Sequence, residues 1–494
     1  MTPDVIIIGS GMGGATLAAA LAPTGRRILI LERGYRLLHS PEARDPDAIF
    51  GRGHFRPDEE WLDGAGKPFN PGNYYVAGGN SKFYGAVLMR YRAQDFSPIR
   101  HLGGATPGWP VTYAQMEPWY QAAEALYQVR GVLGEDPTEP VHSGDYPFPP
   151  VPDEPAIADL RARLMRVGLH PSSLPLGVDI ARWLAKGQTP WDAFPDTCGG
   201  KMDAETVGLA HALQYPNVML QTGARVVRLT ATGGHVTGVE VAGHGILMAP
   251  LIVLAAGAVM SAALLLGSSD AAYPAGLANA SDQVGRNFMN HNLSGILALH
   301  PFRRNRSVYQ KTIQINDFYL KGGVNDTPLG NIQLLGKISG SILASDTPIP
   351  LPIAFWIARR SVDLLAMSED LPNPDSRVTL RDGQVCLDWK RSNWDAHLAL
   401  VTKLKQMIRK AGYPIVLSRA FDRRTPSHQC GTARMGDDPA TSVVNAQCRS
   451  HDLRNLYIVD ASVLPTSAAV NPSLTIAALA LRAADHITRT EFAP

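Results

Sequence analysis

The sequence predicts an α/β protein: a Rossmann-like dinucleotide-binding domain, split along the chain, with a sheet-based second domain inserted into it. Three stretches carry this expectation. The chain opens on an apolar β-branched strand, Asp4-Val-Ile-Ile-Ile8, then Gly9-Ser-Gly11-Met-Gly-Gly14, a small-residue helix to about Pro23, and a second strand from Arg27 to Leu31 closed by Glu32. A second apolar run, Leu251 to Gly267, has the same strand-turn-helix texture. Between about Asn290 and Arg424 the segments turn strand-like, aromatic and proline-punctuated. At 494 residues the chain exceeds what one hydrophobic core fills, so two intimate domains or more are expected.

The opening unit places a dinucleotide fingerprint at its turn. Gly9 permits the tight turn, Gly11 lets backbone approach a pyrophosphate, and Gly14 lets the helix lie close to the strand. Phosphates then meet the unpaired N–H groups of a helix N-terminus. Glu32 stands where a ribose is read; it accepts hydrogen bonds from ribose hydroxyls and repels a ribose phosphate, which favours FAD or NAD over NADP. From Gly34 to about Tyr74 the chain is polar and irregular, too long for an ordinary connection, and is expected to cover the cofactor. The small and hydrogen-bonding residues from Tyr75 to Arg90 bring backbone close to something flat.

Thr112 is expected to cap a helix running on from Met116 to Val129. Prolines and acids from about Gly134 to Pro152 suggest a linker, and helical spacing returns from Ala156 to Val167. Asn217 to Thr222, Ala224 to Leu229, Val236 to Val241 and Ile246 to Met248 read as short strands that, with Leu251 to Ala256, rebuild a sheet with the first strand. Ala255-Ala-Gly257 breaks the apolar run at 251–267, which is short for a membrane span and reads as a buried strand-turn-helix. In the inserted region Ser307 to Ile315 and Pro350 to Ile357 read as strands. Leu456 to Val459 is a further strand ending on Asp460-Ala461; Asn471 at a cap and Pro472 at the first helical position begin a strong helix whose positive end can face developing negative charge. The expected division is 1–145, 196–289 and 425–494 for the nucleotide-binding domain, 146–195 for a linker and substrate-domain segment, and 290–424 for the substrate domain.

Charge is nearly balanced, 46 basic against 44 acidic side chains, with no basic stripe interleaved with aromatics, which argues against nucleic acid. Four scattered cysteines, Cys198, Cys386, Cys430 and Cys448, offer no metal spacing and suggest a reducing compartment. The first strand begins almost at once with no basic-then-apolar leader, so a cytoplasmic protein without a membrane span is expected.

Several of these segments, in order and spacing, resemble the glucose-methanol-choline (GMC) oxidoreductases. They are the fingerprint with Leu31-Glu32-Arg33-Gly34, Gly78-Gly79-Asn80-Ser81, Trp109-Pro110, Leu254-Ala-Ala-Gly257, Val284-Gly-Arg-Asn287, Pro372-Asn-Pro-Asp-Ser-Arg377, His428-Gln-Cys-Gly-Thr432 and Asn471. The resemblance implies the GMC fold, FAD, an alcohol substrate and hydride transfer to flavin. It places His428 and Asn471 at the two active-site positions, the second of which is His or Asn among members. Gly9, Gly11, Met12, Gly14, Glu32 and Arg33 match the nucleotide end, and Gly79, Asn80, Ser81, Tyr84 and Ala86 the loop along the flavin. Val226 and Ala256 match further cofactor contacts, Val226 on the adenine side; Asp460, Ala461 and Pro472 match the ribityl and ring contacts. Tyr84 departs from the common Asn at its position. Lys82 and Phe83 stand where members with histidine-linked flavin often carry His, so FAD is expected to be noncovalent.

Oxidising an alcohol requires removal of the hydroxyl proton as carbon gives up hydride, and histidine is the usual base. His428 takes that role, and an amide N–H of Asn471 holds the developing alkoxide without competing for the proton. His291, in Asn290-His-Asn292, reads as structural. Phe83-Tyr-Gly85 with Arg90-Tyr-Arg92 and Asp95-Phe96 resembles the loop of bacterial members acting on sugars and aminoglycosides, which points to a sugar, glycoside or polyol. Oxygen, a quinone or a carrier protein is the expected electron acceptor. Competing readings are a redox-silent FAD-containing lyase of the hydroxynitrile lyase type and a flavoprotein subunit of an electron-transfer complex.

Overall fold

The structure is a computed structural model that describes residues 2–185, 191–422 and 428–492. The expected domain boundary at 424/425 lies outside the described residues. Val5–Ile8 (β1), Ile28–Leu31 (β2), Val218–Gln221 (β3), Leu251–Leu254 (β4) and Leu456–Ile458 (β5) form one sheet in the order β5-β4-β1-β2-β3. Every pair is parallel, and the register sets Ile8 beside Leu254 beside Ile458. The loops leaving β1, β4 and β5 therefore share one edge, the carboxyl edge where a doubly wound sheet binds its ligand. β1, β4 and β5 are buried throughout, which is why they read as unbroken apolar runs.

Helix Met12–Leu21 (α1) joins β1 to β2, Ala258–Gly267 (α2) follows β4, and Ser473–Thr490 (α3) ends the chain against α1. α1 is buried on nearly every side, and its Gly and Ala residues keep it thin enough to lie between the sheet and α3. Among the described residues no helix is long and apolar enough to cross a membrane.

One expected strand group separates from this sheet. Asn217 to Thr222 supplies β3, but Val226–Thr232, His235–Val241 and Gly245–Leu247 form their own antiparallel three-stranded sheet. Their residues alternate between buried and exposed, as suits a sheet with one wet face, whereas a parallel sheet needs both faces apolar. The stretch Gly134 to Pro152 holds no regular element, but it is not a free spacer. Asp136 is buried and accepts from Arg92 Nη2 at 2.5 Å and Asn316 Nδ2 at 2.6 Å, clasping the two domains.

The second domain is a six-stranded antiparallel sheet in the order Ile415–Ala420, Asn292–Leu299, Ser361–Ser368, Asn331–Leu334, Ile313–Ile315, Pro171–Ser173. Ile313, Ile315, Ile332, Leu334, Val362 and Leu364 face a core shared with the helices Pro155–Arg166 and Trp394–Lys410. Alternation then turns Gln314 and Gln333 to the opposite face. Two strand expectations fail here. Only Ile313–Ile315 of the segment from Ser307 is a strand, because the N–H groups of Val308 and Tyr309 donate to the Glu154 carboxylate instead of a neighbouring strand. Pro350 to Ile357 is largely the helix Leu351–Ala358. A short, wholly apolar run fits helix and strand equally, and proline is tolerated in a first helical turn, where the missing N–H has no partner to lose.

Candidate active site

The turn after β1 is shaped for glycine. Gly9 has φ +103°, and a Cβ on it would lie 2.3 Å from the Ala255 carbonyl oxygen; on Gly14 it would lie 2.1 Å from the Gly9 oxygen, and on Gly13 1.8 Å from the Val459 oxygen. These contacts seat α1 against the ends of β4 and β5. Gly11 differs: a Cβ there meets nothing within 4 Å. It borders open ground at the head of α1, where Met12 begins the helix and no side chain caps the first turn. Gly79, at φ +57°, reaches that ground from the other side, with a Cβ position 3.4 Å from Gly11 Cα. Free N–H groups, a helix dipole and open space between glycines fit a pyrophosphate.

Glu32 follows β2 and is buried. Its Oε2 accepts from Ser10 N at 3.1 Å and Ser10 Oγ at 2.5 Å, and its Oε1 from Gly34 N at 2.9 Å. Ser10 Oγ also accepts from Gly78 N at 3.1 Å, so one carboxylate ties the glycine turn to the loop carrying Gly79. Val226 lies two residues past Ala224, whose N–H donates to the Glu32 carbonyl oxygen. Ala256 N donates to Ser261 Oγ, Gly257 N and Ser261 Oγ donate to Asp460 Oδ2, and Ser462 N donates to Asp460 Oδ1, fixing Ala461 between them. The structure thus gathers Gly9, Gly11, Met12, Gly14, Glu32, Gly79, Val226, Ala256, Asp460 and Ala461 around one edge of the sheet, an arrangement that fits FAD.

The remaining expected contacts have their polar atoms turned to the protein itself. Asn80 accepts from Tyr74 N and donates to Asn73 Oδ1; Ser81 Oγ donates to Gly78 O and accepts from Ala204 N; the Tyr84 hydroxyl donates to Met202 O at 2.6 Å. The Arg33 guanidinium lies 3.6 Å from the centroid of the Tyr75 ring, and Ala86 is buried at φ +55°. Lys82 is buried between Asp203 and Glu205, and Phe83 stacks on Tyr74 with centroids 3.6 Å apart.

At the far end of the sequence the chain returns to the same edge. Met289 and Cys430 exchange both backbone hydrogen bonds at 3.0 Å. Two residues along one segment and two back along the other stand His291 and His428, opposite each other. Their Nδ1 atoms are 2.7 Å apart and their rings meet edge to face at 79°. His291 Nε2 lies 2.7 Å from the Ala468 carbonyl oxygen and 3.0 Å from that of Ser467. On the other side Asn471 Nδ2 is 3.2 Å from His428 Nε2, and Gln333 Nε2 is 3.2 Å from Asn471 Oδ1. His428 has φ +70°, a left-handed backbone uncommon outside glycine and held only where the surroundings over-determine it.

Asn471 is not a helix cap. α3 starts at Ser473 with no side-chain cap, and Pro472, already in helical geometry, accepts from Ile476 N through its carbonyl. The Asn471 amide is thereby free to face His428. His291, expected as structural, lies in direct contact with the candidate base, and Gln333 carried no motif at all. Its one signal is alternation in Asn331-Ile-Gln-Leu334, which sets an amide on the face away from the second core.

Burial holds His428 well below the ordinary histidine range, with His291 and the Lys311 ammonium adding to the effect. Lys311 Nζ is itself paired with Asp192 Oδ2 at 2.6 Å. Burial lowers His291 to about 4, against the opposing pull of its two carbonyl partners. Both rings are neutral near pH 7. A neutral imidazole nitrogen beside an amide N–H can take a hydroxyl proton while the amide holds the oxygen.

Comparison with known proteins agrees with this layout. The family described as GMC oxidoreductase matches residues 372–480, and the NAD(P)-binding Rossmann-like domain matches residues 7–54. The paromamine 6'-oxidase of Streptomyces fradiae is 31% identical, with 98% of this chain and 91% of the relative covered. The 6'''-hydroxyparomomycin C oxidase of Streptomyces lividus is 32% identical over 97% of this chain and 90% of its own. The crystal structure of pyridoxine 4-oxidase from Mesorbium loti superposes with a TM-score of 0.68 at 20% identity, covering 99% of both chains, a likeness of fold.

Proposed function

The chain belongs to the GMC oxidoreductases, FAD-dependent enzymes that oxidise alcohol groups, and we propose that its substrate is a sugar, glycoside or polyol, with His428 as the base. The pairing of His428 Nε2 with Asn471 Nδ2 at 3.2 Å carries the reading, because acceptor and donor stand side by side as an alcohol oxygen and its proton require. FAD, when bound, supplies the two-electron acceptor for the hydride. His428 Nε2 receives the hydroxyl proton, Asn471 Nδ2 donates to the oxygen as charge builds on it, and Gln333 holds the amide by its oxygen. Gly9, Gly11, Met12, Gly14, Glu32, Arg33, Gly79, Val226, Ala256, Asp460 and Ala461 are the residues proposed to hold the cofactor, with the loop through Asn80, Ser81, Tyr84 and Ala86 and the residue Pro472 along its ring. The proposed division assigns 1–145, 196–289 and 425–494 to FAD binding, 146–195 to a linker and substrate-domain segment, and 290–424 to substrate.

The two oxidases of aminoglycoside type support the substrate class, since each matches nearly the whole chain. Anaerobic mixing of the yellow holoprotein with paromamine, simple hexoses, alkyl glycosides and glycerol is the test. Bleaching of the flavin band by one of them is expected; no bleaching by any refutes the reading. Readmitting air, or adding a quinone instead, identifies the acceptor. Noncovalent FAD is proposed because the loop offers Lys82, locked in its ion pairs, and Phe83; acid precipitation then leaves the yellow colour in the supernatant. A cytoplasmic setting is proposed from the four cysteines, all free.

A further inference from the structure

The tautomers in the histidine pair are fixed by groups that cannot rotate or flip. Backbone carbonyls only accept hydrogen bonds, so His291 Nε2, 2.7 Å from the Ala468 oxygen and 3.0 Å from that of Ser467, carries a proton. A neutral ring has one N–H, which leaves His291 Nδ1 with a lone pair. His428 Nδ1, 2.7 Å away, must then be the donor, and His428 Nε2 is left with its own lone pair. That lone pair selects the amide nitrogen of Asn471 as its neighbour, and the Asn471 oxygen in turn selects the amide nitrogen of Gln333. Amide orientations are otherwise matters of assignment; here two carbonyls settle four side chains.

We propose that His291 is a positioning residue that locks His428 in the Nδ1–H tautomer, so that Nε2 keeps the lone pair that can take the substrate's hydroxyl proton. The inference rests on His428 being the base. His291 is buried, and among the described residues its ring hydrogen bonds run to His428, Ser467 and Ala468, not to a carboxylate or an ammonium group. Lys311 acts on His428 from the second domain, while Glu369 and Asp370, both pushed up by burial, lie on the other side of the 467–468 backbone, where Glu369 accepts from Ala468 N and Asp370 O accepts from Ser467 Oγ. The pair therefore sets which nitrogen is basic.

The decisive measurement is long-range 1H–15N correlation on FAD-loaded protein labelled with 15N-histidine, with His428→Ala and His291→Asn used to identify the two signals. Wild type is expected to show His428 protonated at Nδ1 and His291 at Nε2. His291→Phe removes the acceptor and should move His428 toward the Nε2–H form; His291→Asn, whose amide oxygen can stand in for Nδ1, should restore it. With the alcohol that bleaches flavin fastest, His291→Phe should lower the limiting rate of flavin reduction about ten- to a hundredfold. His291→Asn should recover that rate. Wild-type His428 in the Nε2–H form, or an unchanged tautomer in His291→Phe, overturns the proposal. Should His291→Phe fail to retain FAD, the wild-type and His291→Asn spectra still decide. If His428→Ala reduces at the wild-type rate, the base assignment fails instead, which separates the two conclusions.

Discussion

Gly11 offers a way to remove the cofactor without touching the fold. Its backbone, φ −69° and ψ −169°, is extended geometry that any residue adopts, and an added Cβ meets nothing within 4 Å. Gly11→Ala should therefore change the stability of the apoprotein by no more than about 0.5 kcal/mol. The same methyl group stands on the ground proposed for the pyrophosphate, at the N-terminus of α1. Forcing one phosphate oxygen away from a backbone N–H loses a charge-assisted hydrogen bond, about 1.5–3 kcal/mol. That corresponds to a roughly tenfold to hundredfold rise in Kd for FAD. The assay is fluorescence titration of apoprotein with FAD, alongside thermal unfolding with and without the cofactor. At FAD a thousandfold above the wild-type Kd, ligand binding adds about 4.1 kcal/mol to wild-type stability, and a hundredfold weaker variant keeps only about 1.4. Gly13→Ala is the contrast, since its methyl would sit 1.8 Å from the Val459 oxygen and should damage the apoprotein itself. If Gly11→Ala binds FAD like wild type, the cradle has been misplaced.

Four further outcomes can be checked directly. His428→Ala should slow flavin reduction by about two to four orders of magnitude while FAD stays bound, measured by anaerobic stopped flow. Glu32→Ala should weaken FAD retention, read from the ratio of flavin to protein absorbance, and leave the reduction rate of the loaded fraction largely intact. Lys311→Met removes a positive charge that disfavours protonation of His428, and it leaves the Asp192 carboxylate unpaired, which pushes the same way. The base then titrates at higher pH, and the rise of reduction rate with pH should move upward; a downward move contradicts the electrostatics. Gln333→Met should lower the limiting rate, with little change in FAD affinity, because the Asn471 amide loses the bond that orients it.

The nucleotide half was legible because its constraints are local. A turn with no room for a Cβ at Gly9, Gly13 and Gly14, an all-apolar strand on each side and a carboxylate after the second strand are written within some thirty consecutive residues. The family resemblance pointed to His428 and Asn471 because each sits in a short motif, and the structure sets the two side chains 3.2 Å apart. What escaped was set by pairing across long stretches. His291 meets His428 through one antiparallel bridge between distant loops, and a lone histidine carries no mark of such a partner. Gln333 reaches Asn471 from a strand of the other domain. The separate sheet of 226–247 and the helix at 351–358 were missed for a different reason: short apolar or alternating runs do not say what will cover them.

The placement of β5 and α3 has a consequence for synthesis. The first strand and helix of the chain are completed only by its last: β5 closes one side of the sheet and α3 covers α1. At ribosomal rates of about 5–20 residues per second, on the order of a minute passes between them. A nascent chain thus leaves the exit tunnel with its opening helix lacking its α3 neighbour, and its glycine turn lacking the Val459 contact, until the end of elongation. A chain cut short before α3 should therefore purify without the yellow colour, which its absorbance spectrum would show.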